Sequence, residues 1–253
     1  MRIDLNSDIG ESFGPYSVGH DDAILDSVTS VNVACGFHAG DPSVMRRTVR
    51  KALARGVAIG AHPGFPDLQG FGRRAMAMSP AEVEDAVLYQ VAALIGVAAA
   101  EGGRVTHVKA HGALYNMAVS DPSLAGAIAS AVRALDPNLV LFGLPGSCLL
   151  AAGCAAGLRV AAEGFADRAY EADGSLTPRS RDGAVLHEPS VVLMRALDLV
   201  RAGRVEATDG SVLSLAIQTL CLHGDSIGAA DLGAVLRRGL EAHGVRVAAL
   251  VAA

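Results

Sequence analysis

Short apolar runs alternate along this chain with longer stretches of helical spacing, and each apolar run ends in a polar turn. A first strand is predicted over residues 2–6, where Ile3 and Leu5 are apolar, and further strands over 30–34, 57–61, 105–109, 139–143, 158–162 and 217–222. Between them, Val44, Met45, Val49, Ala52 and Leu53 recur at helical spacing in a helix over 42–55, opened by Asp41-Pro42 and stopped by Gly56. Ser79-Pro80-Ala81-Glu82 reads as a capping box for a helix running to Ala100, and Asp121-Pro122 opens another that ends near Leu135. Shorter helices are expected over 21–26, 113–118, 147–156, 190–202 and 228–243. Segment 204–211 has no clear period, and 245–251 reads as a terminal strand or packing segment. About seven repeats of strand, polar turn and helix, with no break in composition, predict an α/β fold with one domain over 1–253, a (β/α) barrel, with a doubly wound open sheet as the alternative.

The polar turns carry the chemistry. In Val31–Asp41 an apolar strand end is followed by Asn32, Cys35, His38 and Asp41, with Gly36 and Gly40 allowing sharp turns. Comparable blocks are LNSDIGE, IGAHPG, VKAHGALYN, AEGFADR and CLHGD. Polar residues at the C-terminal ends of strands mark the active face of α/β folds, so the six blocks are expected around one mouth. The Gly- and Pro-rich run HPGFPDLQGFGRR is expected to lie over that mouth, and 165–187 to form a mobile or ligand-contacting excursion.

Composition removes several function classes. The chain has 253 residues, 51% hydrophobic and 19% charged, which excludes a disordered chain and allows a large core. A formal net charge of -5, no tryptophan and only 4% aromatic residues argue against nucleic-acid and anionic-membrane partners. Arg46, Arg47, Arg50 and Lys51 cluster, but as the wet face of a helix. Cys35, Cys148, Cys154 and Cys221 form no CxxC pair, which reads as reduced thiols in a cytoplasmic protein. The N-terminus lacks the apolar core of a signal peptide, and the apolar run 91–100 is too short to span a bilayer. Neither a Walker-type phosphate loop nor a GxGxxG turn occurs.

His38, His62, His111 and His223 each follow a predicted strand, whereas His20, His187 and His243 do not. One histidine in such a place is usually a satisfied hydrogen-bonding residue; four pointing at one cavity can bind a metal, move protons or polarise a carbonyl. Asp8 and Glu11 are candidate general bases, and Asp8, His38 and His62 would make a ligand set if a divalent metal is bound, although helical HExxH spacing is absent. Asp41, Asp67, Asp167 and Asp225 have helix capping as their bland reading, favoured for Asp41 by the proline after it. Lys109 ends an apolar strand, where burial demands a carboxylate, a phosphate or a substrate oxygen. Arg73-Arg74 and Arg168 could orient an anionic substrate, or the Arg pair could pin its own loop. Cys35 is either a nucleophile near His38 or a small core residue. Asn6, Asn32, Asp41, Arg73, Tyr115, Asn116, Arg168 and His223 complete the candidate substrate contacts.

The blocks DLNSDIGESFG, NVACGFHAGDP, IGAHPGFPDLQGFGRR, HVKAHGALYN, EGFADRAYEADGSLTPR and CLHGD, in this order, closely resemble the LamB/YcsF family over nearly the whole chain. Ala110 departs from the pattern, which usually has proline between the lysine and the histidine. The resemblance implies a single seven-stranded, distorted TIM-like (β/α) barrel similar to the glycoside hydrolase/deacetylase superfamily. It also implies ATP-dependent opening of the 5-oxoproline lactam to L-glutamate, with two partner subunits of B and C type. Because a lactam is poorly electrophilic and no phosphate loop is present, the partners are expected to activate the ring with ATP. This chain would then direct water to it, with Asp8 or Glu11 as base, Lys109 and His111 stabilising negative charge, and His38 and His62 positioning the water or a metal. A metal-dependent deacetylase of N-acetylated carbohydrate and a non-catalytic substrate carrier are the alternatives, and homo-oligomers are left open.

Overall fold

In chain order the elements are β1 (Arg2–Ile9), α1 (Asp21–Ile24), β2 (Ser30–Ala34), α2 (Pro42–Ala54), β3 (Ala58–His62), α3 (Pro80–Ala100), β4 (Val105–Lys109), α4 (Gly112–Met117), α5 (Pro122–Leu135), β5 (Val140–Gly143), α6 (Cys148–Ala155), β6 (Arg159–Phe165), α7 (Pro189–Leu197), β7 (Arg204–Glu206), β8 (Val212–Ser214), β9 (Thr219–Cys221), α8 (Ala229–Ala242) and β10 (Arg246–Val247). The computed structural model describes residues 1–19, 21–222 and 229–252.

Seven of these strands, β1 to β6 and β9, pair in parallel, and the pairing of β9 with β1 closes them into a barrel. The predicted barrel is therefore the fold, and the open-sheet alternative is excluded. Helix starts follow local chemistry. Asp41 Oδ1 accepts from the amides of Ser43 and Val44 to open α2, and Ser79 and Glu82 form the expected capping box of α3. Helix α3 is long and apolar enough to cross a membrane by length and composition. Its stripe of Val83, Val87, Val91, Leu94 and Ala98 is buried, and it packs against α5 and α2.

Strand alternation divides the barrel into two environments. Ile3, Leu5, Val31, Val33, Ile59 and Val108 belong to the apolar core. The opposite phase is polar: Asp4, Asn6 and Asp8 of β1, Asn32 of β2, His107 and Lys109 of β4, Glu163 of β6, and Thr219 and Cys221 of β9 are buried and bonded to one another across the lumen. Gly60 is required there, since a Cβ on it would stand 2.1 Å from His107 Nε2. At the N-terminal end of the barrel Leu250 and Val251 pack over Val140, Phe142 and Ala161.

Several segments differ from the sequence reading at their edges. β1 continues to Ile9 and β6 to Phe165, because the polar lumen lets strands run on through polar residues. The helix expected to reach Ala202 becomes a π-helical turn after Leu197, ended by Gly203 at φ 62. The segment without a clear period, 204–211, supplies β7, which pairs with β8 as an antiparallel hairpin. From 245–251 only Arg246 and Val247 pair, with Arg2 and Ile3.

Candidate active site

The C-terminal ends of the barrel strands open into a cavity of about 670 Å³. Asp8, Glu11, His62, Lys109 and His111 line its floor, and Arg73, Tyr115, Asn116, Arg168 and Arg179 are among its walls. Lys109 anchors the floor. Its Nζ lies 3.0 Å from Asp8 Oδ1, 3.0 Å from Glu163 Oε1 and 3.0 Å from Cys221 Sγ, and 3.5 Å from Asn6 Oδ1. Burial disfavours the ammonium, but the charge of Asp8 first, then Cys221 and Glu163, outweighs it and holds the Lys109 pKa well above the ordinary value. The Cys221 thiol is pushed up by its burial, so it accepts from the ammonium as a neutral group.

Around this cation the remaining polar groups are satisfied in a fixed order. Asn32 Nδ2 donates to Asp8 Oδ1 and to Asn6 Oδ1, each at 2.8 Å, while Asn6 Nδ2 donates to Glu163 Oε1 at 3.0 Å and to Thr219 Oγ1 at 2.7 Å. The Tyr115 hydroxyl donates to Glu163 Oε2 at 2.9 Å, and burial followed by the Glu163 charge keeps the phenol protonated. His107 Nε2 stands 2.9 Å from Asn32 Oδ1, an atom that only accepts, so this nitrogen carries the proton. Burial, with the Lys109 charge next, lowers the His107 pKa to about 3.

Three imidazoles form the other half of the floor. The rings of His38 and His111 stack with centroids 3.7 Å apart, and His62 stands edge-on to both. His62 Nδ1 lies 2.8 Å from the carbonyl of Lys109 and His111 Nε2 lies 2.8 Å from the carbonyl of Phe71, which makes both nitrogens donors. Consequently His62 Nε2 and His111 Nδ1, 2.9 Å apart, face each other as lone pairs. In these tautomers neither nitrogen carries a hydrogen, so both lone pairs are available to a cation. Burial is the leading cause that holds His38 and His111 well below the ordinary imidazole pKa, and the neighbouring histidines add to it.

A metal fits this donor set. Glu11, His38, His62 and His111 each offer one ligand atom, all within 4.8 Å of one another. Both ring nitrogens of His38 are buried without a hydrogen-bond partner, and the Glu11 carboxylate is 3.7 Å from His38 Nε2 and from His111 Nδ1. The cluster differs from the ligand set expected from the sequence, since Glu11 takes the place of Asp8 and His111 is added. Asp8 is instead bonded to Lys109 and Asn32, with Oδ2 3.3 Å from His62 Nε2.

The loop between β3 and α3 presses onto these rings. A Cβ at Gly64 would lie 2.7 Å from His38 Nδ1, and one at Gly72 would lie 2.8 Å from His111 Cδ2 and from His38 Cβ. Phe71 takes a left-handed φ of 54 so that its carbonyl meets His111, a conformation that costs a bulky residue free energy and is held by the surrounding contacts. Gln90 of α3 clamps the loop by accepting from Gly64 N at 3.0 Å and donating to Gly64 O at 2.9 Å.

Asp8, Glu11, His38, His62, Lys109 and His111 thus come together as expected, with His38 behind His111. Arg73, Tyr115, Asn116 and Arg168 reach the cavity, whereas Asn6 and Asn32 lie beneath its floor. Asp41 does not reach it: one carboxylate oxygen caps α2 and the other accepts from Gly14 N at 2.8 Å. His223 and Asp225 lie outside the described residues. Of the arginine pair, Arg74 pins its own loop through Asp67, whose pKa this bond lowers to about 2, while Arg73 faces the cavity. Cys35 is a core residue, its thiol donating to Val33 O and pushed to about 12 by burial. The 165–187 excursion contributes to the cavity wall and folds around buried Tyr170, whose hydroxyl accepts from Phe165 N at 2.8 Å. Glu163, His107 and Gln90 were not anticipated; Glu163 and Gln90 are single polar residues beside apolar runs, and His107 lies between Thr106 and Val108 of a short strand.

A closed parallel barrel with acids, a buried ammonium and imidazoles gathered at its C-terminal mouth has the form of a (β/α)-barrel active site. The chain belongs to the LamB/YcsF family, whose model matches residues 3–253. It is 58% identical over 248 residues to the A subunit of 5-oxoprolinase from Methylococcus capsulatus, covering 98% of this chain and 95% of that one. The protein of the same name from Geobacillus kaustophilus is 56% identical over 98% of this chain and 96% of its own length. Among solved structures, the lactam utilization protein of Thermus thermophilus has a TM-score of 0.93 at 49% identity, covering 99% of this chain and 100% of that one. A putative cellobiose-phosphate cleavage protein of Enterococcus faecalis, 16% identical with a TM-score of 0.52, shares the fold alone.

Proposed function

We propose that this chain is the A subunit of an ATP-dependent 5-oxoprolinase, opening the 5-oxoproline lactam hydrolytically to L-glutamate together with B and C subunits in the cytoplasm. The observation that carries the reading is the convergence of Asp8, His62, Lys109 and His111 on one cavity, in a chain more than half identical to proteins of that name. ATP is used by the complex, and its phosphoryl group activates the carbonyl that this chain then hydrolyses.

Asp8 is the favoured base. The ammonium of Lys109 bonds one of its oxygens, Asn32 fixes its orientation, and its second oxygen stands beside His62 at the cavity floor. Water gives a proton to Asp8 as its oxygen adds to the phosphorylated carbonyl carbon; the C–N bond then breaks, and Asp8 is placed to return that proton to the ring nitrogen. A second water hydrolyses the acyl phosphate so formed, releasing phosphate and L-glutamate. Lys109 has all its N–H groups engaged by protein acceptors, so its role is to hold Asp8 and Glu163 and not, as expected from the sequence, to meet the developing oxyanion directly. If a divalent metal is held by Glu11, His38, His62 and His111, it supplies Lewis-acid polarisation there.

The test is turnover of 5-oxoproline by this chain with and without B and C subunits and ATP. Glutamate formed only by the complete, ATP-supplied set supports the reading, and lactam hydrolysis by the single chain without ATP refutes the division of labour. The four-group ligand set favours a second reading, metal-dependent hydrolysis of an N-acetyl sugar, for which chelator-sensitive release of acetate is diagnostic. A carrier protein would lose ligand affinity in Asp8→Ala, His62→Ala and Lys109→Ala variants, whereas an enzyme loses turnover with affinity largely kept.

A further inference from the structure

The cavity is built in two halves of opposite character. Its floor carries the carboxylates and imidazoles, whereas Arg73 from the β3–α3 loop and Arg168 and Arg179 from the 165–187 excursion line the walls. Arg168 is buried and immobilised: Nε donates to Ala184 O at 3.2 Å and Nη2 to Thr177 O at 2.5 Å. Arg179 lines the same cavity, and the Arg73 guanidinium lies over the Phe71 ring, 4.9 Å from its centroid. Asp173 also lines the cavity.

We propose that Arg73, Arg168 and Arg179 form a subsite for a phosphoryl oxyanion, separate from the acid and imidazole floor, so that the cavity accepts a phosphorylated small molecule. Three considerations support it. A single carboxylate is matched by one bidentate guanidinium, so three gathered on one cavity suit a group with more charge and more acceptor oxygens. Arg168 is buried and fixed by the carbonyls of Ala184 and Thr177, so an oxyanion meets a guanidinium that is already oriented. Finally, a volume of about 670 Å³ exceeds what a small lactam ring fills and falls in the range of drug-sized ligands. Identifying the phosphorylated molecule as the ATP-activated lactam rests on the function proposed above; the oxyanion subsite does not. A nucleotide could present the same chemistry, and the two sources are separable.

The experiment is calorimetric titration of the full chain with inorganic phosphate, 5-oxoproline, tripolyphosphate and ATP, repeated with Arg73→Gln and Arg179→Gln, each checked for an unchanged melting temperature. Phosphate is expected to bind with or without 5-oxoproline present, and each substitution is expected to weaken it by about tenfold or more. ATP binding no tighter than tripolyphosphate assigns the subsite to a phosphorylated substrate; tighter, equally Arg-dependent ATP binding assigns it to a nucleotide. Phosphate binding that is absent at millimolar concentration, unchanged in both variants, or displaced by 5-oxoproline one for one overturns the proposal. Arg-dependent phosphate binding in a protein that ignores 5-oxoproline would keep the subsite and discard the lactam.

Discussion

Replacing Lys109 by methionine removes the one ammonium that Asp8 and Glu163 share, while nearly preserving its volume. In the parent the Nζ is 3.0 Å from a carboxylate oxygen of each, in a site where Lys109 and Glu163 are almost completely buried. The variant leaves the two carboxylates without the ammonium that lies between them. Breaking a buried pair from one side costs about 3–5 kcal/mol, which in a domain of this size lowers the melting temperature by about 6–20 °C. The second substitution, Glu163→Gln, should then recover at least half of that loss, since one orphaned charge is gone and the amide still offers an acceptor to Asn6. Acidification should also narrow the gap. Removing the ammonium favours the protonated over the charged form of the facing carboxylates in the folded variant, so the deficit is largest at neutral pH and shrinks on acidification. Differential scanning calorimetry between pH 5 and pH 8 measures each step. Turnover should stay abolished in both variants because Asp8 has lost the ammonium that bonds and orients it. A Lys109→Met protein melting within about 2 °C of the parent, or a double variant less stable than the single, would show that this network is not what holds the floor.

Asp8→Asn should lower kcat by about 10²–10⁴ with KM little changed, measured as glutamate release by the assembled enzyme. His107 stays neutral in the folded state, with its pKa near 3, whereas unfolded it takes a proton near pH 6.5. The unfolded chain therefore binds more protons below that pH, and His107 contributes a loss of stability of up to about 1.4 kcal/mol per pH unit on acidification; His107→Gln should flatten the denaturant-midpoint profile between pH 6 and pH 4 by that amount. Dialysis against Co²⁺ should load one visible-absorbing ion per chain, lost in His38→Gln while the metal-free variant still unfolds cooperatively. Gly60→Ala should destabilise by about 1–3 kcal/mol because its methyl group would displace the His107 ring.

The elements visible in the sequence are those whose apolar period is uninterrupted or whose ends carry a local chemical signal. Helices α2, α3 and α5 announce themselves through Asp41-Pro42, Ser79-Pro80 and Asp121-Pro122, and all three caps form. The mouth was legible for a related reason. His62, Lys109 and His111 stand at the ends of apolar strands, where a polar residue has no structural purpose unless something meets it. Segment 204–211 was opaque because β7 pairs only with its own hairpin partner and buries a single side chain, Val205, which is too little to imprint a period.

The barrel lumen explains most of what was missed. A lumen filled with branched apolar side chains leaves polar residues only at strand ends, and the sequence reading looked for chemistry there. Here the inward phase is polar along its whole depth, from Asp4, which accepts from Ser30, Thr29 and Thr219, up through Asn6, Asn32 and Glu163 to Asp8. Such an interior is stable only if each group is paired, and its pairing is wholly non-local: Asn6 meets Glu163 and Thr219 from strands more than half the chain away. No window of sequence contains both partners of those bonds. What a window does contain is the anomaly, a Glu in AAEGF or a His in VTHVK, and a polar residue on the inward phase of a buried strand is the signature of a lumen that supports the carboxylate proposed as base from below. On that logic Glu163 is a positioning residue acting through Lys109. Glu163→Gln in the otherwise native chain should lower kcat and shift the acidic limb of the rate profile as the Lys109 ammonium redistributes toward Asp8; an unchanged profile with only a lower melting temperature would confine Glu163 to stability.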